Sequence, residues 1–182
     1  MLLVFKFCFA LSKVPFVLQT FQKNFDHSES DFDDLNLLVS ISNQEMQLFS
    51  GTQLLRCYPI STSKFGIGFE EGSFQTPMGN FQICEKFGDD LPEFSILKGR
   101  LPTGELAPLG GEADHVLTRI FWLEGLEEKN ANTKQRYIYI HGTNQEEEIG
   151  HPASHGCVRM CNRDIVELYE RVPVGTKVRI VR

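Results

Sequence analysis

The chain has 182 residues, 41% of them hydrophobic, with fifteen Phe, fifteen Gly and a single Trp. That length suits one domain better than two and is enough to bury a sizeable core. The formal charge of −6 disfavours nucleic acid as a partner, and five cysteines without CxxC spacing point away from a disulfide framework.

The N-terminus is apolar but interrupted: Lys6 splits the run from Leu2 to Leu11, and Lys13 and Pro15 follow. A secretory signal carries its charge ahead of the apolar run and small residues at a cleavage site, and neither pattern is met. The uninterrupted stretches are also too short to span a bilayer. Residues 1–36 therefore read as an N-terminal extension that ends in an acidic, solvated linker from Asn24 to Asn36. Export and retention both stay open for residues 1–22, and membrane association with them. Residues 37–182 read as the domain proper.

Within that domain, apolar alternation predicts short strands over residues 37–41, 45–49 and 53–62, separated by turns at 42–44 and 50–52. Residues 63–75 read as a loop rich in Gly, Ser and Glu. Thr76-Pro77-Met78-Gly79 reads as a tight turn, with Pro setting φ and Gly allowing φ > 0. A strand follows over 80–86. Residues 88–115 form a long excursion with one strand at 94–97, and such a length inside one domain suits a flap over a substrate. Strands at 116–123, with Trp122 in the core, and at 136–140 flank a polar loop over 124–135. One amphipathic helix begins with Asn162 as N-cap, carries Ile165, Leu168, Tyr169 and Val172 on one face, and stops at Pro173. A closing strand spans 177–181. Many short strands and one helix argue for a mainly β architecture. Cys57 and Cys84 read as buried free thiols.

The chemistry concentrates in Ser154-His155-Gly156-Cys157-Val158-Arg159-Met160, with His141-Gly142-Thr143 upstream at a strand end. A thiol nucleophile needs a base, and the base needs a group to hold its ring. Cys157 and His141 can supply the first two roles, and the Gly142 carbonyl is a candidate for the third. From the residues alone, His155 competes with His141 as the base. Arg159 is a cation that would favour thiolate; its other reading is a structural ion pair. His141, His151, His155, Cys157 and Cys161 could also be read as zinc ligands, but the spacing fits no standard zinc motif, and no metal or other cofactor is expected.

His-Gly-Thr, a loop and Ser-His-Gly-Cys-Val-Arg-Met resemble the signature of the YkuD-type L,D-transpeptidases. Residues 37–49 resemble that family's opening strands, and Thr76 to Phe81 its Thr-Pro-x-Gly-x-aromatic element. The resemblance covers roughly residues 37 to 182. It implies a β-sandwich-like catalytic domain with the C-terminal helix near the active-site motif. It implies Cys157 as nucleophile, His141 as base and Gly142 as the residue orienting that base. Gly156 and His155 would shape the site and its oxyanion pocket, and Arg159 and Ser154 would bind substrate. The implied substrate is a peptidoglycan stem peptide, cut between the L-centre of a diaminopimelate residue and a terminal D-alanine. An amine acceptor gives 3→3 cross-linking in the cell envelope; water gives an L,D-carboxypeptidase, which in murein recycling works in the cytoplasm. A carbapenem is the implied covalent inhibitor.

Overall fold

A computed structural model describes residues 34–182 except Glu112. The apolar N-terminal run and nearly all of the acidic linker lie outside the described residues. Alternation sets the direction of the first strands. β1 (Leu35–Ser40) and β2 (Glu45–Ser50) pair antiparallel, with Leu37 opposite Leu48 and Val39 opposite Met46. All four side chains are buried, and each such side chain contributes about 1.5–3 kcal/mol when fully withdrawn from water. β3 (Gln53–Ser61) follows a turn at Gly51. Its first five residues are exposed, so Cys57 faces solvent and is not the buried thiol expected; Cys84 is half-buried.

β4 (Gly79–Phe87), β7 (Leu117–Gly125), β8 (Tyr139–Gly142), β9 (Val158–Met160) and β10 (Lys177–Val181) complete the sheet. The order β4-β10-β1-β2-β3-β9-β8-β7 returns to β4 through the β4–β7 pair, so the sheet closes around one core. The fold is mainly β, and α1 (Asn162–Arg171) is the one α-helix among the described residues. Ile165, Leu168, Tyr169 and Val172 join the core as the helical spacing predicts.

Several local expectations change. The excursion over 88–115 holds a hairpin rather than one strand: β5 (Ser95–Lys98) and β6 (Leu101–Leu106), hung from β7 by the pairing of Ile96 with Leu117. β6 is exposed along its whole length, so no burial period marks it in the sequence. Residues 76–79 make no tight turn. Thr76 bridges to Ile67, and Gly79, at φ 118°, already opens β4. The polar segment before β8 contains a 3-10 helix, Glu128–Thr133, which buries Asn130 and Thr133. Its following turn consumes residues expected in a strand: Tyr137 sits at φ 56° and is exposed, and β8 starts at Tyr139. Cys161, not Asn162, precedes the helix as N-cap.

Candidate active site

The site grows from side-chain alternation on two neighbouring strands. β8 and β9 pair in parallel, with Ile140 beside Val158, His141 beside Arg159 and Gly142 beside Met160. Ile140, Val158 and Met160 point into the main core. The period of two then sends His141 and Arg159 to the opposite face, and Cys157, one residue before β9, falls on that face as well. His141 and Cys157 line one cavity of about 80 Å³, together with Asp114, Val116, Ser154, His155 and Arg159. A neighbouring pocket of about 320 Å³ shares Asp114, His155 and Arg159 and extends to Lys64, Gln145 and Ala153.

His141 is buried, and its Nδ1 lies 2.7 Å from the Gly142 carbonyl oxygen. A carbonyl can only accept, so Nδ1 carries the proton and Nε2 carries the lone pair. Burial lowers the imidazole pKa from 6.5 to about 4, so the ring is neutral at neutral pH. Gly142 is needed for close approach rather than for a turn. A Cβ there would collide with Asn162 Oδ1 and come within 3.0 Å of the Leu117 carbonyl oxygen. Asn162 is itself buried, donating to the Thr143 carbonyl and to Glu146 Oε1 and accepting from Thr118.

Cys157 Sγ accepts from the Tyr139 N–H at 3.4 Å and lies 3.5 Å from the Tyr137 carbonyl oxygen. Burial pushes the thiol pKa up to about 11. Arg159 does pull it down as the sequence suggested, but Asp114 pushes the other way and burial dominates. The resting pair is therefore thiol and neutral imidazole, not thiolate and imidazolium.

The motif braces itself. Ser154 Oγ donates to the Cys157 carbonyl at 2.6 Å and accepts from the Gly156 N–H at 3.2 Å. The Ser154 hydroxyl is thus engaged inside the motif, and the Gly156 N–H already has a partner. Gly156 sits at φ 121°, and a Cβ there would meet Ile138 Cδ1 at 3.3 Å and the Gln75 carbonyl oxygen at 3.5 Å. Thr76 ties the upstream element to this turn, accepting from the Ser63 N–H and donating to the Gly156 carbonyl, both at 3.0 Å.

Arg159 takes part in the ion pair that was its other reading. It is buried, its Nη1 donates to Gln145 Oε1 at 3.0 Å, and its Nη2 is paired with Asp114. Its Nε has no hydrogen-bond partner. Burial alone would raise the Asp114 carboxyl, but the Arg159 charge, His141 and two hydrogen bonds hold it below its usual value. Asp114 also accepts from His155 Nδ1 at 3.0 Å. His155 is part-exposed between Phe65 and Phe74, with ring centroids 5.6 and 6.0 Å away. It thus has a carboxylate partner but no carbonyl lock. His151 is exposed and lines neither cavity. Asp114, more than forty residues before His155 and Arg159, carries no sequence signal that marks it as their partner.

A model of the L,D-transpeptidase catalytic domain, YkuD, matches residues 36–180. The chain belongs to the YkuD family. The L,D-transpeptidase-named YkuD protein of Bacillus subtilis is 33% identical over 147 residues, which cover 81% of this chain and 66% of that protein. YqjB of the same organism, also named as an L,D-transpeptidase, is 35% identical over 147 residues, covering 81% and 71%. The chain spans about two thirds of the length of these relatives. Among solved structures, the YkuD-family domain resembles an L,D-transpeptidase from Xylanimonas cellulosilytica, with a TM-score of 0.55 at 18% identity over 92% of this chain and 70% of that one. It also resembles L,D-transpeptidase 3 of Mycobacterium tuberculosis in complex with a faropenem-derived adduct, with a TM-score of 0.53 at 14% identity over 82% and 60%. At these identities the likeness concerns the fold.

Proposed function

We propose that this YkuD-family domain is a peptidoglycan L,D-transpeptidase that works through a Cys157 thioester on stem peptides. The observation that carries the reading is His141, locked by the Gly142 carbonyl with Nε2 as its free lone pair, in the cavity that holds Cys157. As Cys157 Sγ attacks the carbonyl of the diaminopimelate L-centre, His141 Nε2 takes the thiol proton. The Cys157 N–H is the backbone donor assigned to the oxyanion, because the Gly156 N–H is engaged by Ser154. The imidazolium formed here is disfavoured by burial, so it gives its proton readily to the departing D-alanine amine. An amine of a second stem then attacks the thioester. His141 takes that proton and returns it to the sulfur as the new amide forms. His155 and Arg159 both bond to Asp114, which lines the same cavity, and act through it.

The names of the relatives support this reading, as do neighbours solved with imipenem and with a faropenem-derived adduct. Cross-linking needs a second strand nearby, so we place the reaction in the cell envelope. Incubation of the enzyme with a disaccharide tetrapeptide, followed by mass spectrometry, tests it. Dimers and released D-alanine are expected with wild type and not with Cys157→Ala. Tripeptide without dimers reassigns the acceptor to water, and an unchanged tetrapeptide overturns the proposal.

A further inference from the structure

Cys157 also packs beside a second cluster, formed by Leu97, Ile120, Trp122 and Tyr139. Over that cluster lies Arg100. It occupies the second position of the two-residue turn between β5 and β6, where Gly99 and Arg100 have φ of 57° and 72°. Such turns favour Asn or Asp followed by Gly, because both positions need positive φ. An arginine there is a strained choice, and strain of this kind calls for a use of the side chain.

The guanidinium lies over aromatic rings. Its carbon lies 4.3 Å from the Trp122 ring centroid and 5.7 Å from that of Tyr137. Trp122 and Tyr137 are themselves stacked, with centroids 5.9 Å apart and planes at 18°. Nη1 donates to Tyr139 Oη at 3.1 Å. The backbone N–H of the same Tyr139 reaches Cys157 Sγ, so the guanidinium stands one tyrosine side chain away from the sulfur. Arginine has five N–H donors and no acceptor. Among the described residues, one phenol takes one of those donors and no carboxylate pairs with this guanidinium. The inner cation, Arg159, is already neutralised by Asp114. An aromatic-backed guanidinium with donors left over is suited to bidentate binding of a carboxylate.

We propose that Arg100 is a specificity-determining residue that binds a carboxylate of the donor peptide whose carbonyl Cys157 attacks. The inference rests on the stem-peptide reading above. Trp122 is the only tryptophan in the chain, so its emission reports on this contact. The full chain with Cys157→Ala, which cannot turn over, is titrated with disaccharide tetrapeptide and with the same compound amidated at every carboxylate.

The acid form is expected to change Trp122 emission on binding. Adding Arg100→Gln is expected to weaken it about 10- to 100-fold, the worth of a hydrogen bond to a charged group. The amidated form should bind equally with and without Arg100, and Arg100→Lys should recover part of the affinity for the acid form. A structural role for Arg100 would weaken both ligands alike, and that result overturns the inference. Unchanged affinity of Arg100→Gln for the acid form, in a protein whose wild type still processes tetrapeptide, overturns the inference alone. Absence of both binding and processing removes the stem-peptide reading and the inference with it.

Discussion

The buried, neutral His141 makes a quantitative claim on stability. An unfolded histidine titrates near 6.5, and in the fold the ring is held to about 4. The folded pKa is depressed, so the contribution of this ring is fully present above pH 6.5 and is lost as pH falls toward 4. A difference of two to three pKa units sets a limit of about 3 kcal/mol, of which about 2 kcal/mol is gone by pH 5. His141→Gln removes the titration while keeping a polar side chain. Urea unfolding of both proteins at pH 7 and pH 5 isolates the effect, because most carboxylates are still ionised at pH 5. Wild type is expected to lose about 2 kcal/mol more than His141→Gln between the two conditions. Equal losses would refute the reasoning, and with it the buried, uncharged state on which the general-base role depends.

Other outcomes follow from the same site. His141→Ala should slow acylation by roughly two to four orders of magnitude, and the low-pH limb of thiol alkylation should vanish with it rather than with His155→Ala. A carbapenem should leave one covalent adduct on wild type and on Cys161→Ala, and none on Cys157→Ala, by intact-mass spectrometry. Gly142→Ala should cost about 1–3 kcal/mol in denaturant unfolding, because its Cβ needs the space of Asn162. Acylation should slow as well, since the carbonyl that holds His141 belongs to the same residue. A fusion of residues 1–36 to a reporter active only after export should be active; a silent fusion counts against an export signal within these residues.

The strands that bury one face were legible in the sequence because alternation is itself a burial signal. Leu37 and Val39 on β1, and Val178 and Ile180 on β10, are buried while their neighbours are not. β6 escaped because Leu101 to Leu106 buries nothing. The start of β8 was misplaced because the Tyr-Ile alternation runs on into Tyr137, whose backbone is committed to the preceding turn. Cys157, His141 and Gly142 could be named from their motif, and their arrangement follows from the β8–β9 register. The partners of Arg159 and His155 could not. Asp114 lies in a segment without periodicity, which is held in place by the bonds of Asn144 to Gly110, Ala113 and His115. Asn162 was legible as a helix start, but not as the side chain that requires a glycine at 142.

The parallel pairing of β8 with β9 separates what this domain can vary from what it must keep. The spacing of His141 and Cys157 is set by a hydrogen-bonded ladder rather than by the length of the crossover joining them. That crossover supplies Gln145, Glu148, Pro152, Ala153 and His155 to the wall of the larger pocket. Exchanges at Glu148 and Pro152 can therefore remodel the pocket wall while the ladder keeps its register and Glu146 keeps its bond to Asn162, which makes these two positions the place to reshape the pocket in a redesigned enzyme.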